Sequence, residues 1–528
     1  MLQSVVALVP ILWLIIALTW LKMPGHWACV SALVIAAVLA LTMWQMPGVD
    51  CATSALEGFA SALWPIILVI IAAIFTYNLS VKTGGMDVIK EMLTNVSADK
   101  RVIILLIGWC FAGFLEGMAG FGTAIAIPAS MMVGMGWNPI VACVTCMISN
   151  AFPTAFGSIG IPTVTLQTVT GLESIPLAFT TVFQMVPFMI LVPFLMIMAG
   201  AGGPKALKGV VGITLVAGVS FVVPELLVSY FLGPELPVIV GCVVSLLCTI
   251  LMARARKNKP VPAEYDMSGG AAVASGPSGG PSGASPEAEQ NAQKMTPFVA
   301  WLPFILIFAF LLLTSNLVPP INHALGVFKT SAKISTSPNA VKASFSWVNT
   351  PGVWIFIAAI IGGIVQKAGS SVMGKAFTGT LKQMSKTIIT ILAVLALAKI
   401  MTYSGMIADM ANLFVTLTGS FYPFVAPIIA AIGAFVTGSG TNTEVLLGTL
   451  QTAAAKQIGV SPYWLAGANS VGAGIGKIMS PQCVATAVAA VGLSGQDSNV
   501  MRAIAKWCLI LLVIACLLIG LFVPITPF

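Results

Sequence analysis

The sequence predicts an all-α, polytopic membrane protein of about 12 transmembrane helices. Three observations predict it: the scarcity of charge, the recurrence of long apolar runs, and a matched pair of glycine-rich, polar interruptions. Of 528 residues, 58% are hydrophobic and only 8% are charged, against about 25% charged in an ordinary soluble domain. Apolar runs near the roughly 20 residues that cross a bilayer lie at 4–21, 27–45, 60–79, 102–115, 138–152, 178–200, 209–232, 236–253, 296–315, 351–366, 386–401, 421–437 and 507–525, several short enough to be re-entrant.

The first run resembles a signal peptide in being apolar and N-terminal, but no Lys or Arg precedes it. Its first basic residue, Lys22, follows it, so it reads as a retained span. After the third run Lys82, Lys90, Lys100 and Arg101 share one loop; Arg254, Arg256, Lys257 and Lys259 share another; Lys367, Lys375, Lys382 and Lys386 share a third. Segments 46–63 and 233–237 contain no Lys or Arg. The net charge of +8 is therefore a loop property and no nucleic-acid surface. By the positive-inside rule these loops are cytoplasmic and the N-terminus lies outside; Arg502 and Lys506 before the last run place the C-terminus outside too.

Residues 260–294 are rich in Gly, Ser, Ala and Pro and cannot bury a core. The chain thus divides into a first membrane half, 1–253, a cytoplasmic linker, 254–295, and a second half, 296–528. The linker's "GPSGG" matches G-x-S-x-G by chance, lacking the strand-turn-helix context that serine chemistry needs. The ten cysteines lie almost entirely in apolar segments, where Cys acts as a small hydrophobe, and the Cys143/Cys146 C-x-x-C has no second pair.

The halves resemble each other where they are least hydrophobic. In the first, over about 102–170, Gly117, Gly120 and Gly122 precede Asn150 and then Gly157; in the second, over about 421–493, Gly438, Ser439, Gly440, Thr441 and Asn442 precede Asn469 and then Gly476. The step from Asn to the later Gly is seven in both, and from the first Gly to the Asn 33 and 31, as an internal duplication would leave. Pro128, Pro139, Pro153 and Pro162 interrupt the first copy, Pro462 and Pro481 the second. Backbone left unpaired in hydrocarbon is tolerated only where it is buried in protein or lines a wet cavity. Paired interruptions at corresponding positions point to a transporter's binding site; the competing reading is small residues serving close helix packing.

Charged residues inside such segments need a reason to be there. Glu116, in "GFLEGMAGFG", reads either as a proton carrier at the edge of a broken helix or as a helix cap facing water. Lys477, in "GAGIGKIMSPQ", reads either as the cation that binds a carboxylate or as a lysine snorkelling to the interface. Glu444 is expected to pair with Lys477 or to coordinate a coupling ion with Thr441, Asn442 and Thr443. Asp409 and Lys399 suit a structural ion pair or an interface position, and Trp64, Trp109, Trp137 and Trp464 suit interfaces and packing. His26 and His323 both fall in loops, which leaves no histidine for metal or catalysis in the membrane. A lone lysine among hydroxyl and amide groups, with no Arg in either hairpin region, suits a single carboxylate.

In order along the chain, "FLEGMAGFG", "SVKTGGMDVIK", "GPELP", "NAFPTAFGSIGIP", "VTGSGTN" and "GKIMSPQ" resemble the bacterial L-lactate permease family, over about residues 10–525 and failing mainly across 255–345. The resemblance implies a carrier of the bacterial inner membrane for L-lactate and related 2-hydroxymonocarboxylates such as glycolate, driven by proton symport. It also implies an ion-transporter type of fold with two inverted repeats, re-entrant hairpins and elevator movement of a core domain, and it admits a homodimer. It carries over Glu116, Gly117, Gly120, Gly122, Asn150, Gly438, Ser439, Gly476, Lys477 and Gln482. This chain departs from the family pattern at Gly440, where an Asp commonly stands, and at Asn442-Thr443-Glu444, where Ser-Ser-Asn does, so either a coupling role is expected to move to Glu444 or selectivity or stoichiometry is expected to differ.

The expected site is therefore Lys477, Gly117, Gly120, Gly122, Asn150, Ser439, Thr441, Asn442, Asn469 and Gln482 for substrate, with Glu116 and Glu444 for the proton. No catalytic residue, metal or cofactor is expected. Coupling to H+ is preferred, with Na+ as the alternative because Ser, Thr, Asn and backbone carbonyls suit it. A passive channel and an intramembrane enzyme are the remaining readings, the latter lacking any paired nucleophile and base.

Overall fold

The computed structural model describes residues 2–21, 23–120, 122–257, 259–267, 295–315, 317–338, 340, 342–493 and 496–528. Lys22 and most of the 260–294 linker lie outside these residues. Among the described residues ten helices are long and apolar enough to cross a membrane, or eleven if the bent pair Pro139–Asn150 and Pro153–Thr170 is one span. The protein is a multi-pass membrane protein. The count falls short of a dozen because runs 4–21 and 351–366 form the shorter apolar helices Gln3–Leu18 and Pro351–Val365, and run 138–152 is one arm of that pair, bent by 60°.

The third basic "loop" is a helix. Ser370–Ser404 runs unbroken for 35 residues, about 52 Å at 1.5 Å per residue, and so extends well past a hydrocarbon core of roughly 30 Å. Its charge density suggested a loop, but Ala376, Thr380 and Met384 recur every fourth residue and are buried. That stripe holds the polar half helical, Ala376 joining a small cluster with Phe75, Leu79 and Ala359. His26 and His323 likewise sit in helices, Gly25–Thr42 and Pro319–Gly326. Among the described residues the all-α expectation has one exception, an antiparallel pair of four-residue strands, β1 (Lys329–Ala332) and β2 (Ala343–Ser346).

The basic segments converge on one face. Arg101 holds Asp99 through two contacts of 2.9 and 2.8 Å and donates to the carbonyls of Ala206 and Lys208. Its guanidinium lies 4.2 Å from the Tyr265 ring, and the Met267 amide donates to the Ala98 carbonyl, so the start of the linker is docked on this face. Arg256 reaches the Gly209 carbonyl, and Gln366 accepts from Thr83 at 2.6 Å. On the opposite face Ser335 meets Ser54 at 3.0 Å, and the Ser346 carbonyl accepts from Trp64. Gln3 reaches Met43, before the helix that begins at Gly48, and so lies on this second face too.

Each half carries the same order of pieces. In the first, Lys100–Met118 breaks at Gly120 and Gly122, continues as Thr123–Gly134, turns into Pro139–Asn150, and breaks again before Gly157–Thr170. In the second, Tyr422–Thr437 breaks at Gly438, continues as Gly440–Ile458, turns into Pro462–Ile478, and breaks before Pro481–Ala490. Local chemistry sets the breaks. Gly122 and Gly438 take φ of 85° and 65°, a conformation that costs glycine little. Ser439 and Ser480 then cap the following helices by accepting from the amides of Asn442 and Cys483. Ser158 and Ile159 also take positive φ, 47° and 60°. For a β-branched residue that is a genuine outlier, of the kind that gathers at functional sites.

Candidate functional site

The breaks of both halves meet around one cavity of about 580 Å³. At its centre Lys477 Nζ lies 2.7 Å from Glu116 Oε1, an ion pair whose side chains are 7% and 3% exposed. The pair joins the two halves, Glu116 standing in the last turn of Ala112–Met118 and Lys477 in the last turn of Pro462–Ile478. Asn150 Nδ2 donates to the other carboxylate oxygen at 2.9 Å. Lys477 also donates to Thr154 Oγ1 at 3.0 Å, and Thr154 in turn donates to the Asn150 carbonyl at 2.6 Å. Both carboxylate oxygens and the ammonium are thus partnered, the condition under which a buried pair is tolerated.

This arrangement removes two of the sequence readings. Glu116 is not a water-facing cap, since it is buried and paired, and Lys477 does not snorkel to an interface. The expected pairing of Lys477 with Glu444 is also corrected. Glu444 Oε2 instead accepts from Asn469 Nδ2 at 2.7 Å. Thr441 and Asn442 face the cavity, whereas Glu444 comes two residues later on the Gly440–Ile458 helix and is absent from the lining. At about 100° per residue it points to another side, toward the Pro462–Ile478 helix that carries Asn469. The corresponding asparagines of the two halves, Asn150 and Asn469, therefore each hold a buried carboxylate, but only the first carboxylate reaches the cavity.

Of the expected site residues, Glu116, Gly120, Gly122, Ser439, Thr441, Asn442, Lys477 and Gln482 line the cavity. Asn150 stands behind Glu116, and Asn469 behind Glu444. Gly117 is away from the lining, where a Cβ would come within 3.0 and 3.1 Å of Val238 and Ile239 side chains. At that position the packing reading describes the glycine. Gly157 has a second reason to be small, because a Cβ there would meet Glu116 Oε1 at 2.8 Å.

Several lining residues escaped the sequence reading. Thr154 lies four positions after Asn150 in "NAFPTAFGSIG", in the short turn Pro153–Phe156 past the end of the Pro139–Asn150 helix. Ser158 faces the cavity and donates to the Ala119 carbonyl at 2.9 Å, fastening the strained segment to the first break. His26, Gln383, Lys386, Thr387 and Thr390 also line it, brought from segments far away in sequence. Lys399 and Asp409 are structural, as expected. Lys399 pairs with buried Glu57 at 2.7 Å, which also accepts from Tyr403, and Asp409 accepts from Trp44 at 2.8 Å.

The chain is similar to known permeases over nearly its whole length. Residues 3–526 match the family model of the L-lactate permease. An L-lactate permease of Streptococcus iniae is 40% identical over 88% of this chain and 94% of its own length. An L-lactate permease of Escherichia coli is 35% identical over 96% of this chain and 94% of its own, and the same organism's glycolate permease GlcA is 36% identical over 96% and 93%. Among solved structures the YdaH transporter of Alcanivorax borkumensis, described as having an unusual topology, shares the fold at 15% identity with a TM-score of 0.52, covering 94% of this chain and 98% of its own. With a family match spanning both halves and both breaks, the chain belongs to the L-lactate permease family.

Proposed function

We propose that the protein is a secondary carrier that moves L-lactate and related 2-hydroxymonocarboxylates, glycolate among them, across the bacterial inner membrane together with a proton. The observation that carries this reading is the Glu116–Lys477 pair at the wall of the cavity. In that pair the cation already holds a carboxylate, so an anionic substrate must compete with Glu116 for Lys477. Protonation of Glu116 removes the competitor and frees Lys477 for the substrate's carboxylate. The pair is neutral before the exchange, and one proton with one monocarboxylate keeps the site neutral after it. Binding and coupling then follow from one event.

Ser439, Thr441, Asn442 and Gln482 supply hydroxyl and amide groups for the 2-hydroxyl of the substrate, and Gly120 and Gly122 let Ser158 and Thr486 pack closely into the cavity wall. Asn150 and Thr154 hold the pair in register. Glu444, held by Asn469, is the second candidate for the proton. In this reading the basic face is cytoplasmic, and both termini lie outside.

The test is labelled L-lactate uptake into proteoliposomes, with a pH gradient and a membrane potential imposed separately. One proton with one lactate moves no net charge, whereas each uncompensated charge would feel about 2.3 kcal/mol per 100 mV. Uptake is expected with the interior alkaline and no potential, and is expected to be lost in Glu116→Gln and kept in Glu444→Gln. Loss in Glu444→Gln alone would transfer the proton to that carboxyl. Uptake that ignores pH but requires sodium would replace proton coupling with sodium coupling, and no uptake of lactate or glycolate would overturn the substrate.

A further inference from the structure

The charges of Glu116 and Lys477 cancel, yet the cavity lining as a whole carries one net positive charge with His26 neutral, and Lys386 is its source. Lys386 belongs to the Ser370–Ser404 helix, outside the two matched cores. It lines the cavity with Gln383, Thr387 and Thr390, at offsets that fall on one face of a helix. Thr390 donates to the Lys386 carbonyl, and Gln383 accepts from Asn78, which leaves the lysine ammonium uncommitted. Among the described residues Lys386 makes no ion pair, although it is solvent-accessible.

Its depth is fixed by the helix that carries it. Lys386 precedes the helix end at Ser404 by 18 residues, about 27 Å at 1.5 Å per residue. That places it near the boundary of a roughly 30 Å hydrocarbon core. The boundary is the one on the basic face, where this helix begins just after Gln366. Residues Met23 and Pro24, from the turn before the Gly25–Thr42 helix, and His26, in its first turn, complete the wall beside it.

We propose that Lys386 is a second anion-binding position, at the mouth of the cavity on the basic face, which takes the carboxylate of the substrate before Lys477 is released from Glu116. This rests on the carrier reading above and adds a residue to it. A single net cation in a partly enclosed, low-dielectric cavity concentrates anions of one charge. It also answers how an anion reaches a lysine that is already neutralised. Lys386 binds first, and exchange at Lys477 follows when Glu116 takes its proton. A lysine that only held its stem against the membrane boundary would do the same at neighbouring positions. Lys375 and Lys382, on the same helix and absent from the cavity wall, supply that comparison.

The experiment measures initial rates of L-lactate transport in vesicles of defined orientation, loading substrate from each face in turn, for the unmodified protein, Lys386→Gln, Lys386→Arg and Lys382→Gln. For loading from the basic face, Lys386→Gln is expected to raise the half-saturating concentration roughly tenfold, the loss of one charge-assisted contact. Loading from the opposite face is expected to change far less, Lys386→Arg to restore most of the effect, and Lys382→Gln to match the unmodified protein. Equal effects of Lys386→Gln and Lys382→Gln, equal effects on both faces, or no rescue by arginine would each overturn the assignment. If the unmodified protein carries no L-lactate, the carrier reading falls and this assignment with it. If the unmodified protein carries lactate and Lys386→Gln does too with unchanged half-saturation, only the assignment falls.

Discussion

Replacing Lys477 with methionine is expected to abolish L-lactate uptake and to destabilise the protein by about 3–5 kcal/mol, the usual cost of stranding one partner of a buried ion pair. Methionine keeps most of the side chain's bulk, so the loss is one of charge and of two hydrogen bonds. Glu116 would keep the Asn150 contact but lose its counter-charge, and the Thr154 hydroxyl would lose a donor. Glu116→Gln should show the same loss of counter-charge from the other side, leaving a buried ammonium with only neutral acceptors, the amide oxygen and Thr154. The discriminating variant is the double one. Glu116→Gln with Lys477→Met removes both charges together and is expected to recover most of the stability while remaining inactive, since residues in contact are strongly non-additive. Thermal unfolding in detergent, read beside uptake in proteoliposomes, checks both. A double variant as unstable as either single one would show that the pair's contribution is packing and not charge.

Gly476→Ala is expected to be nearly as severe, at about 3 kcal/mol or more, the upper end for overpacking. The added Cβ would overlap the carbonyl oxygen, carbonyl carbon and Cα of Ala431, all backbone of the neighbouring Tyr422–Thr437 helix, which cannot rotate away. Gly472 meets the Pro427 carbonyl in the same way, so the two helices touch along one glycine stripe four residues apart. Relief would require moving the Pro462–Ile478 helix outward, and Lys477 is the very next residue. Transport is therefore expected to fall even where folded protein is recovered. Gly379→Ala, on an exposed turn with open space around it, is the contrast. There alanine is expected to be neutral or stabilising by up to about 1 kcal/mol, its advantage in helix propensity. Yields of monodisperse protein and unfolding temperatures would decide, and equal behaviour of the two variants would refute the packing argument.

The breaks were legible in the sequence because glycine, proline and N-capping serine act locally. Gly122, Gly438, Ser439 and Ser480 stand at helix ends for reasons confined to a few residues of backbone. The Ser370–Ser404 helix is hidden in the sequence because lysines crowd its first half, where only Ala376, Thr380 and Met384 mark the buried stripe. Lys386 therefore reads as a loop residue, and its place on the cavity wall is hidden until the helix is seen.

The sequence by itself determined that the chain lives in a membrane, that its halves repeat one order of interruptions, and that Glu116 lies at the first interruption of one half and Lys477 at the second interruption of the other. Each of these follows from composition or short-range backbone chemistry. Only the tertiary structure decided the partners. Glu116 and Lys477 are 361 residues apart, and Glu444 lies 25 residues before Asn469. The sequence offered Lys477 only Glu444, in its own half, as a partner. The choice was made by which helix faces turn toward the cavity where the halves cross: the Glu116 face does, and the Glu444 face turns to its own half. Pairing between elements distant in the chain is set by helix rotation and crossing. Those depend on the packing of the whole bundle and leave no local signature in the sequence.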